Sequence, residues 1–362
     1  MKKFGLVFLS AIAIISLAAC GGTGSSSKSG DDNKTSKKVS KSEIASISID
    51  EGEYVVPKKE NADEGEGFLA LKVTIKNETD KSLDMSATDI MLYDKEDSKI
   101  EALSLYLDDS KTPLLAYEKI SGKKSKTGYI VFPVEKEAEY KLHFEPRIYD
   151  GKKEPKPIIL DVDASEYKDH SDDAIKAATA FVDEVFLATE NKEYNKLVAN
   201  DRDEAVKNFD ENFTKALKKQ FYDYKVTDEE GLALAKVFRE DNAKVATVEY
   251  EIASYFPDVA EVAVKVEGLS FKEMKDDMEA ANKEYSEAHS DQEFDERSKA
   301  AQKAELDKLP EILKNSKPVS IDDYDDYKVI MKKKDDKWEI QTKGSINYFD
   351  SLEQAFRGNM YK

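Results

Sequence analysis

The chain holds one cysteine, three histidines and one tryptophan among 362 residues. The single cysteine, Cys20, has no disulfide partner within the chain, so the folded parts must rest on apolar cores. His143, His170 and His289 stand far apart, each without the close second histidine of a metal motif, and no further cysteine completes a zinc set. No metal and no other cofactor is expected. A Gly-x-Ser-x-Gly elbow, a phosphate loop and a dinucleotide fingerprint are also missing. A serine, cysteine or zinc hydrolase therefore finds no support, and the expectation is a protein without enzymatic activity. Past the amino terminus no apolar run approaches the roughly 20 residues of a bilayer span. Positive charge is in deficit: 75 acidic residues oppose 56 basic ones, a net charge of −19, which disfavours nucleic acid as a partner. The alternating strand–helix units of a transport-type solute receptor are absent too.

What is present begins with a targeting segment over residues 1–20. Lys2 and Lys3 open it, and residues 4–19 are apolar or small throughout. It closes on Leu17, Ala18, Ala19 and Cys20, which resembles the lipobox cut by the lipoprotein signal peptidase. The resemblance implies cleavage between Ala19 and Cys20 and a diacylglyceryl group, with palmitate-type chains, on Cys20. Two acyl chains anchor stably where one does not, at about 0.8 kcal/mol per buried CH₂. The expected location is the outer face of the cell membrane, lipid-anchored. Residues 21–42 are rich in glycine and serine and read as a solvated, disordered tether, with five lysines against Asp31 and Asp32.

The rest is long enough for two domains. In the first, residues 43–165, apolar residues alternate: Leu69, Leu71, Val73 and Ile75 are interleaved with Ala70, Lys72 and Thr74. A turn is expected at 77–80, with further strands near 89–93, 127–134, 140–144 and 158–162, which together make an antiparallel sandwich. The runs 72–77 (KVTIKN), 90–94 (IMLYD), 128–134 (GYIVFPV) and 140–144 (YKLHF) resemble the telokin-like, immunoglobulin-like domain of secreted bacterial lipoproteins. That family implies a β-sandwich presenting loops and edges, and it carries over no functional residue.

In the second domain, residues 166–362, the period becomes helical. Ser171 is placed as the cap of a helix with Ala174, Ala178, Phe181, Val182, Val185 and Phe186 on one face. A second helix is expected from about Asp210, with Phe213, Leu217 and Phe221 inward. Strands follow near 246–252 and 262–266, and a late hairpin turns at Asp335 and Asp336. Between them, residues 271–314 read as a long helical hairpin broken near His289, with Met274, Met278, Ala281, Tyr285 and Ala288 as its core stripe. Helices followed by an antiparallel sheet and a hairpin bearing Trp338 resemble the NTF2-like or cystatin-like α+β class. The tandem of the two domains is similar to Gram-positive surface lipoproteins whose second domain is of unknown function.

The fold class expected is thus an all-β immunoglobulin-like sandwich followed by an α+β domain with a long helical insertion. Phe181, Phe186, Tyr250 and Trp338 are the candidate lining of a pocket in an NTF2-like cone, and otherwise its core. The acidic run 322–326 is weighed as a Ca²⁺ ligand set, but it lacks the glycine and later glutamate of an EF-hand loop. Asp201, Asp203 and Glu204 are weighed as an acid–base pair, which would need burial. The leading expectation is an envelope interaction protein, held at the membrane through Cys20, that binds a protein or wall polymer. A small-molecule binding module and a carboxylate-dependent hydrolase are the alternatives.

Overall fold

A computed structural model describes residues 38–107, 110–146, 156–321, 327–343 and 348–360. Cys20, the targeting segment, most of the tether and the acidic run 322–326 lie outside the described residues.

The period-two half becomes strands: β1 (Lys38–Lys41), β2 (Ala45–Val55), β3 (Glu66–Asn77), β4 (Leu83–Met85), β5 (Ile90–Tyr93), β6 (Lys99–Glu101), β7 (Glu118–Ile120), β8 (Ser125–Glu135), β9 (Glu139–Phe144), β10 (Ile158–Asp163) and β11 (Lys168–Asp169). One sheet runs β1-β2-β3-β8 and faces a second, β10-β9-β5-β6, while β4 and β7 pair separately. Leu69, Leu71, Val73 and Ile75 point into the space between the sheets and meet Leu92, Leu142 and Phe144 there. Burial of each such side chain stabilises the fold by roughly 1.5–3 kcal/mol. The turn after β3 is held by buried Asn77, which donates to the carbonyls of Lys81 (2.6 Å) and Ile120 (2.9 Å) and accepts from the Thr79 amide (2.9 Å).

The outer edge of β2 is completed in pieces. β1 pairs with residues 46–49, β11 adds in parallel beside Glu53 and Tyr54, and Val56 exchanges two backbone hydrogen bonds with Tyr255. The other edge strand, β8, is covered by the segment between β6 and β7. Leu103 and Leu115 donate their amides to Val131 and Tyr129. These additions occupy backbone groups of β2 and β8 that a bare edge would offer to another chain.

The second half carries α1 (Ser171–Phe186), α2 (Tyr194–Leu197), α3 (Arg202–Lys218), α4 (Asp228–Val245), β12 (Thr247–Phe256), β13 (Val259–Gly268), α5 (Lys275–Ala288), α6 (Phe294–Asn315), β14 (Val319–Ser320), β15 (Tyr327–Lys334), β16 (Lys337–Ile340) and α7 (Tyr348–Phe356). An antiparallel sheet β12-β13-β15-β16 shares one core with α1 and α7. The hairpin between β15 and β16 turns on Asp335 and Asp336, both at positive φ (50° and 63°), as the primed turns of two-residue hairpins require. A separate core joins α3, α4, α5 and α6 around Phe213, Phe238, Met274 and Leu309.

Five sequence expectations are corrected here. Residues 38–41, expected as the end of the disordered tether, form β1 on the edge of β2. Ser171 is the first helical residue rather than the cap. Its amide and hydroxyl both donate to Asp169 Oδ1, at 3.0 and 2.6 Å. The second helix starts at Arg202, eight residues before Asp210, because the Asp201 carboxylate accepts the Glu204 amide at 2.8 Å. Helix α4 was not anticipated, although Thr227 and Glu230 form a reciprocal capping box at its start. Finally, Met274, Met278 and Ala281 are buried as expected, but Tyr285 is only half-buried and Ala288 is exposed.

The described residues form one compact unit. Val55, Phe68, Ala70, Tyr129 and Val131, on the outer face of the first sheet, bury Phe256 from the tip of the β12–β13 hairpin. Asp258, in the turn of that hairpin, accepts from Ser110 Oγ (2.7 Å), the Lys111 amide (2.5 Å) and Thr112 Oγ1. Lys58 reaches Glu261 at 3.0 Å across the same joint.

Candidate functional site

The four residues proposed to line a pocket are packed together as core. Phe181, Phe186 and Trp338 are essentially inaccessible, and the first two rings meet edge to face at 5.7 Å. Phe356 of α7 stacks on Phe186 of α1 at 4.9 Å, joining the two helices within the same core. Tyr250 packs against the same core, and burial holds its hydroxyl well above the ordinary tyrosine range.

The histidines stand apart from one another. His143 lies on β9 with its ring 4.4 Å from Tyr93, and burial lowers its pKa. His170 is the residue before α1, and His289 ends α5, stacked on Tyr285 at 4.1 Å. Asp201, Asp203 and Glu204 are exposed on the first turn of α3, where one caps the helix and Asp203 pairs with Arg202 at 3.1 Å. They share no cleft. Among the described residues no group of three His, Cys, Asp or Glu side chains could hold a metal ion. Nor is any described helix long and apolar enough to cross a membrane.

An open groove does exist, at one end of the sandwich, with a volume of about 600 Å³. It forms where strands end: Glu66 opens β3, Glu135 closes β8, Glu139 opens β9, and Asp94, Lys95 and Glu96 make the turn after β5. Ile100, Val134, Ala138 and Tyr140 supply apolar surface between them. Six carboxylates line it, counting Glu137, against the single cation of Lys95.

Local structure explains why the acidic side chains collect there. In the turn 135–139 the basic residue, Lys136, leaves the groove and lies over the Tyr54 ring, 5.2 Å from its centroid. Lys95 is partly neutralised by Glu139 at 3.4 Å. Asp94 accepts the amides of Glu96 and Ser98 at 2.8 Å each, and these bonds hold its carboxyl below the ordinary carboxylate value. Tyr140 Oη accepts the Glu135 amide at 2.8 Å, which fixes the groove wall, and burial raises the Tyr140 pKa. The arrangement offers negative charge around an apolar floor, suited to a cationic ligand with some apolar surface. It does not gather the nucleophile, base and oxyanion donors that covalent chemistry needs. Nothing in the sequence marks the groove, because its carboxylates come from three separate segments, residues 66, 94–96 and 135–139.

The fold thus defines a class: a β-sandwich joined to an α+β body with an inserted helical hairpin. Residues 164–357 match the family described as Domain of unknown function (DUF5105), and the chain belongs to that family. Residues 25–155 match a second family, Domain of unknown function (DUF4352). The chain is similar along most of its length to the uncharacterized lipoprotein YcdA of Bacillus subtilis strain 168, with 27% identity over 353 residues, 94% of each chain. The crystal structure of a putative lipoprotein (ycdA) from the same organism shares the fold, with a TM-score of 0.63 at 24% identity. That match covers 90% of this chain and 99% of the other. Neither family description names an enzymatic activity.

Proposed function

We propose that the chain is a lipid-anchored interaction protein of the cell envelope, held outside the membrane through Cys20, that binds a cationic segment of a partner protein in the acidic groove of its sandwich. The observation that carries this reading is the groove itself, six carboxylates around apolar surface. The charge favours a protein with a basic segment over an anionic wall polymer, which the carboxylates would repel. The name of the YcdA relative supports the lipoprotein part.

Binding to the purified chain is measured by calorimetry with a lysine-rich peptide carrying one aromatic residue. Saturable binding that weakens with salt is expected, because the contacts are largely between charges. The double variant Glu135→Gln, Glu137→Gln should weaken it by about tenfold, or 1.4 kcal/mol. Absence of saturable binding, or equal affinity in the variant, would overturn the groove assignment. Anchoring is tested separately. Cys20→Ala should accumulate as uncleaved precursor, and normal processing with membrane retention of that variant would refute lipidation at Cys20.

A further inference from the structure

The helical hairpin of α5 and α6 carries a second surface, remote in sequence from the groove. Its base is rooted in the helical core by Met274, Met278, Leu306, Leu309 and Leu313. Beyond Ala281 and Ala301 the burial stops, and residues 282–300 contain no buried side chain. A helical hairpin without a core is only marginally stable in water. This one is braced by local bonds instead. The His289 ring stacks on Tyr285 while its Nδ1 lies 2.9 Å from the Tyr285 carbonyl. Arg297 donates to the carbonyls of Ser290 (3.0 Å) and Gln292 (3.3 Å), which ties the turn to the first turn of α6.

On that braced tip sits Phe294, 71% exposed, with the Arg297 guanidinium 5.9 Å from its ring. One helical turn further on, Ser298 Oγ donates to Asp223 at 2.5 Å. Tyr222, the neighbour of Asp223, is 87% exposed. Phe294 and Ser298 share a face of α6, and the Ser298–Asp223 bond brings the chain at exposed Tyr222 up to that face one turn from Phe294. Asp291, Glu293, Asp295 and Glu296 surround Phe294 in sequence, and Arg297 is turned toward the backbone. The macrodipole accounts for acidic residues in the first turn of α6. It does not account for an exposed phenylalanine among them.

We infer that the tip of the α5–α6 hairpin is a protein-docking surface with Phe294 as its anchor and Tyr222 beside it, fitted to a partner surface that is basic around an apolar socket. Charge complementarity selects this occupant. The carboxylates repel an anionic lipid surface, and a second copy of this chain, at net charge −19, is repelled likewise. Aromatic anchors held rigid before contact lose little entropy on docking, and such residues carry most of an interface's energy. The inference stands apart from the groove and does not depend on it.

The test uses the purified full chain with two fluorescent peptides of equal charge, one an amphipathic helix of Leu and Lys, the other Lys alone. Vesicles of phosphatidylglycerol form the lipid arm. The Leu/Lys peptide should bind about tenfold tighter than the Lys peptide, a margin of 1.4 kcal/mol. Phe294→Ala should abolish that margin, Phe294→Trp should retain it, and Tyr222→Ala should reduce it, with unchanged circular dichroism in each variant. Because the groove also has an apolar floor, the margin is read in the background of the groove variant Glu135→Gln, Glu137→Gln, where it should persist and still depend on Phe294. That variant's loss of Lys-peptide binding reports on the groove alone, so failure of the groove and failure of the hairpin tip are read separately. Equal binding of the two peptides to the unmodified chain, a margin insensitive to Phe294→Ala, or Phe294-dependent binding to the vesicles would each overturn the inference.

Discussion

Glu53 sits at the joint between the two halves, on β2, and accepts a hydrogen bond of 2.9 Å from Tyr255 Oη on β12. Burial raises its pKa above the ordinary glutamate value of 4.5, outweighing the Tyr255 bond and the nearby charges of His170 and Lys333 that favour ionisation; Glu51 adds to the rise. The folded state therefore holds this proton more tightly than the unfolded chain. Ionisation of Glu53 opposes folding, so its contribution to stability falls as pH rises from about 4.5 through the higher folded value, then stays level. Glu53→Gln keeps an acceptor for Tyr255 and removes the charge. Its stability relative to the unmodified chain should match below pH 4.5 and exceed it at neutral pH, as read from urea midpoints across pH. A difference that is flat with pH, or of opposite slope, would remove Glu53 from this role. None of this was visible in sequence, where Glu53 is one of 75 acidic residues and nothing marks it as buried.

At the scale of elements, the strands of the first half were legible because one face of each is buried and the other is not. The second half of β3 is the clearest instance: buried Leu71, Val73 and Ile75 alternate with more exposed Lys72, Thr74 and Lys76. The late hairpin was legible through Asp335 and Asp336, which tolerate the left-handed backbone that the turn demands. Helix α4 shows no clean apolar face in the sequence, because its buried positions mix Leu234 and Phe238 with Gly231, Ala235, Arg239 and Asn242. Gly231 is there for close approach: a Cβ would lie 2.3 Å from Thr214 Cγ2 of α3. The sequence marks the α5–α6 hairpin, but its apolar stripe runs past the point where the core ends. Core packing ends at Ala281, and Tyr285 packs on His289 instead. Replacing residues 283–299 by a short glycine-rich turn should therefore lower the melting temperature by only a few degrees, roughly the effect of 1 kcal/mol, because no buried side chain is lost. Scanning calorimetry checks this, and loss of the cooperative transition would show that the tip supports the fold.

For the whole molecule, the decisive feature is the joint. Phe256 and the Asp258 clamp tie the α+β half to the outer face of the first sheet. Ala70 of β3 lies on that outer face and is as buried as its inward neighbours, because the other half covers it. A single thermal transition is expected, since the halves share buried surface. Phe256→Ala should cost about 3–5 kcal/mol and separate the melting of the two halves. Two transitions in the unmodified chain, or one unshifted transition in the variant, would mean that the joint contributes little to folding.

Sequence by itself determined the candidate anchor at Cys20, the change of period from two to helical, and the lack of motifs for metal or covalent chemistry. Each follows from residue types at short range: a terminal apolar run, alternation along a strand, close spacing of ligands. Only the tertiary structure decided that Phe181, Phe186 and Trp338 fill the core rather than line a pocket. It also decided that carboxylates from separate strand ends meet in one groove, and that Phe294 projects on a braced tip. Those outcomes depend on which surfaces the folded chain brings together, and neither pairing across distant strands nor burial of a face is written in local spacing.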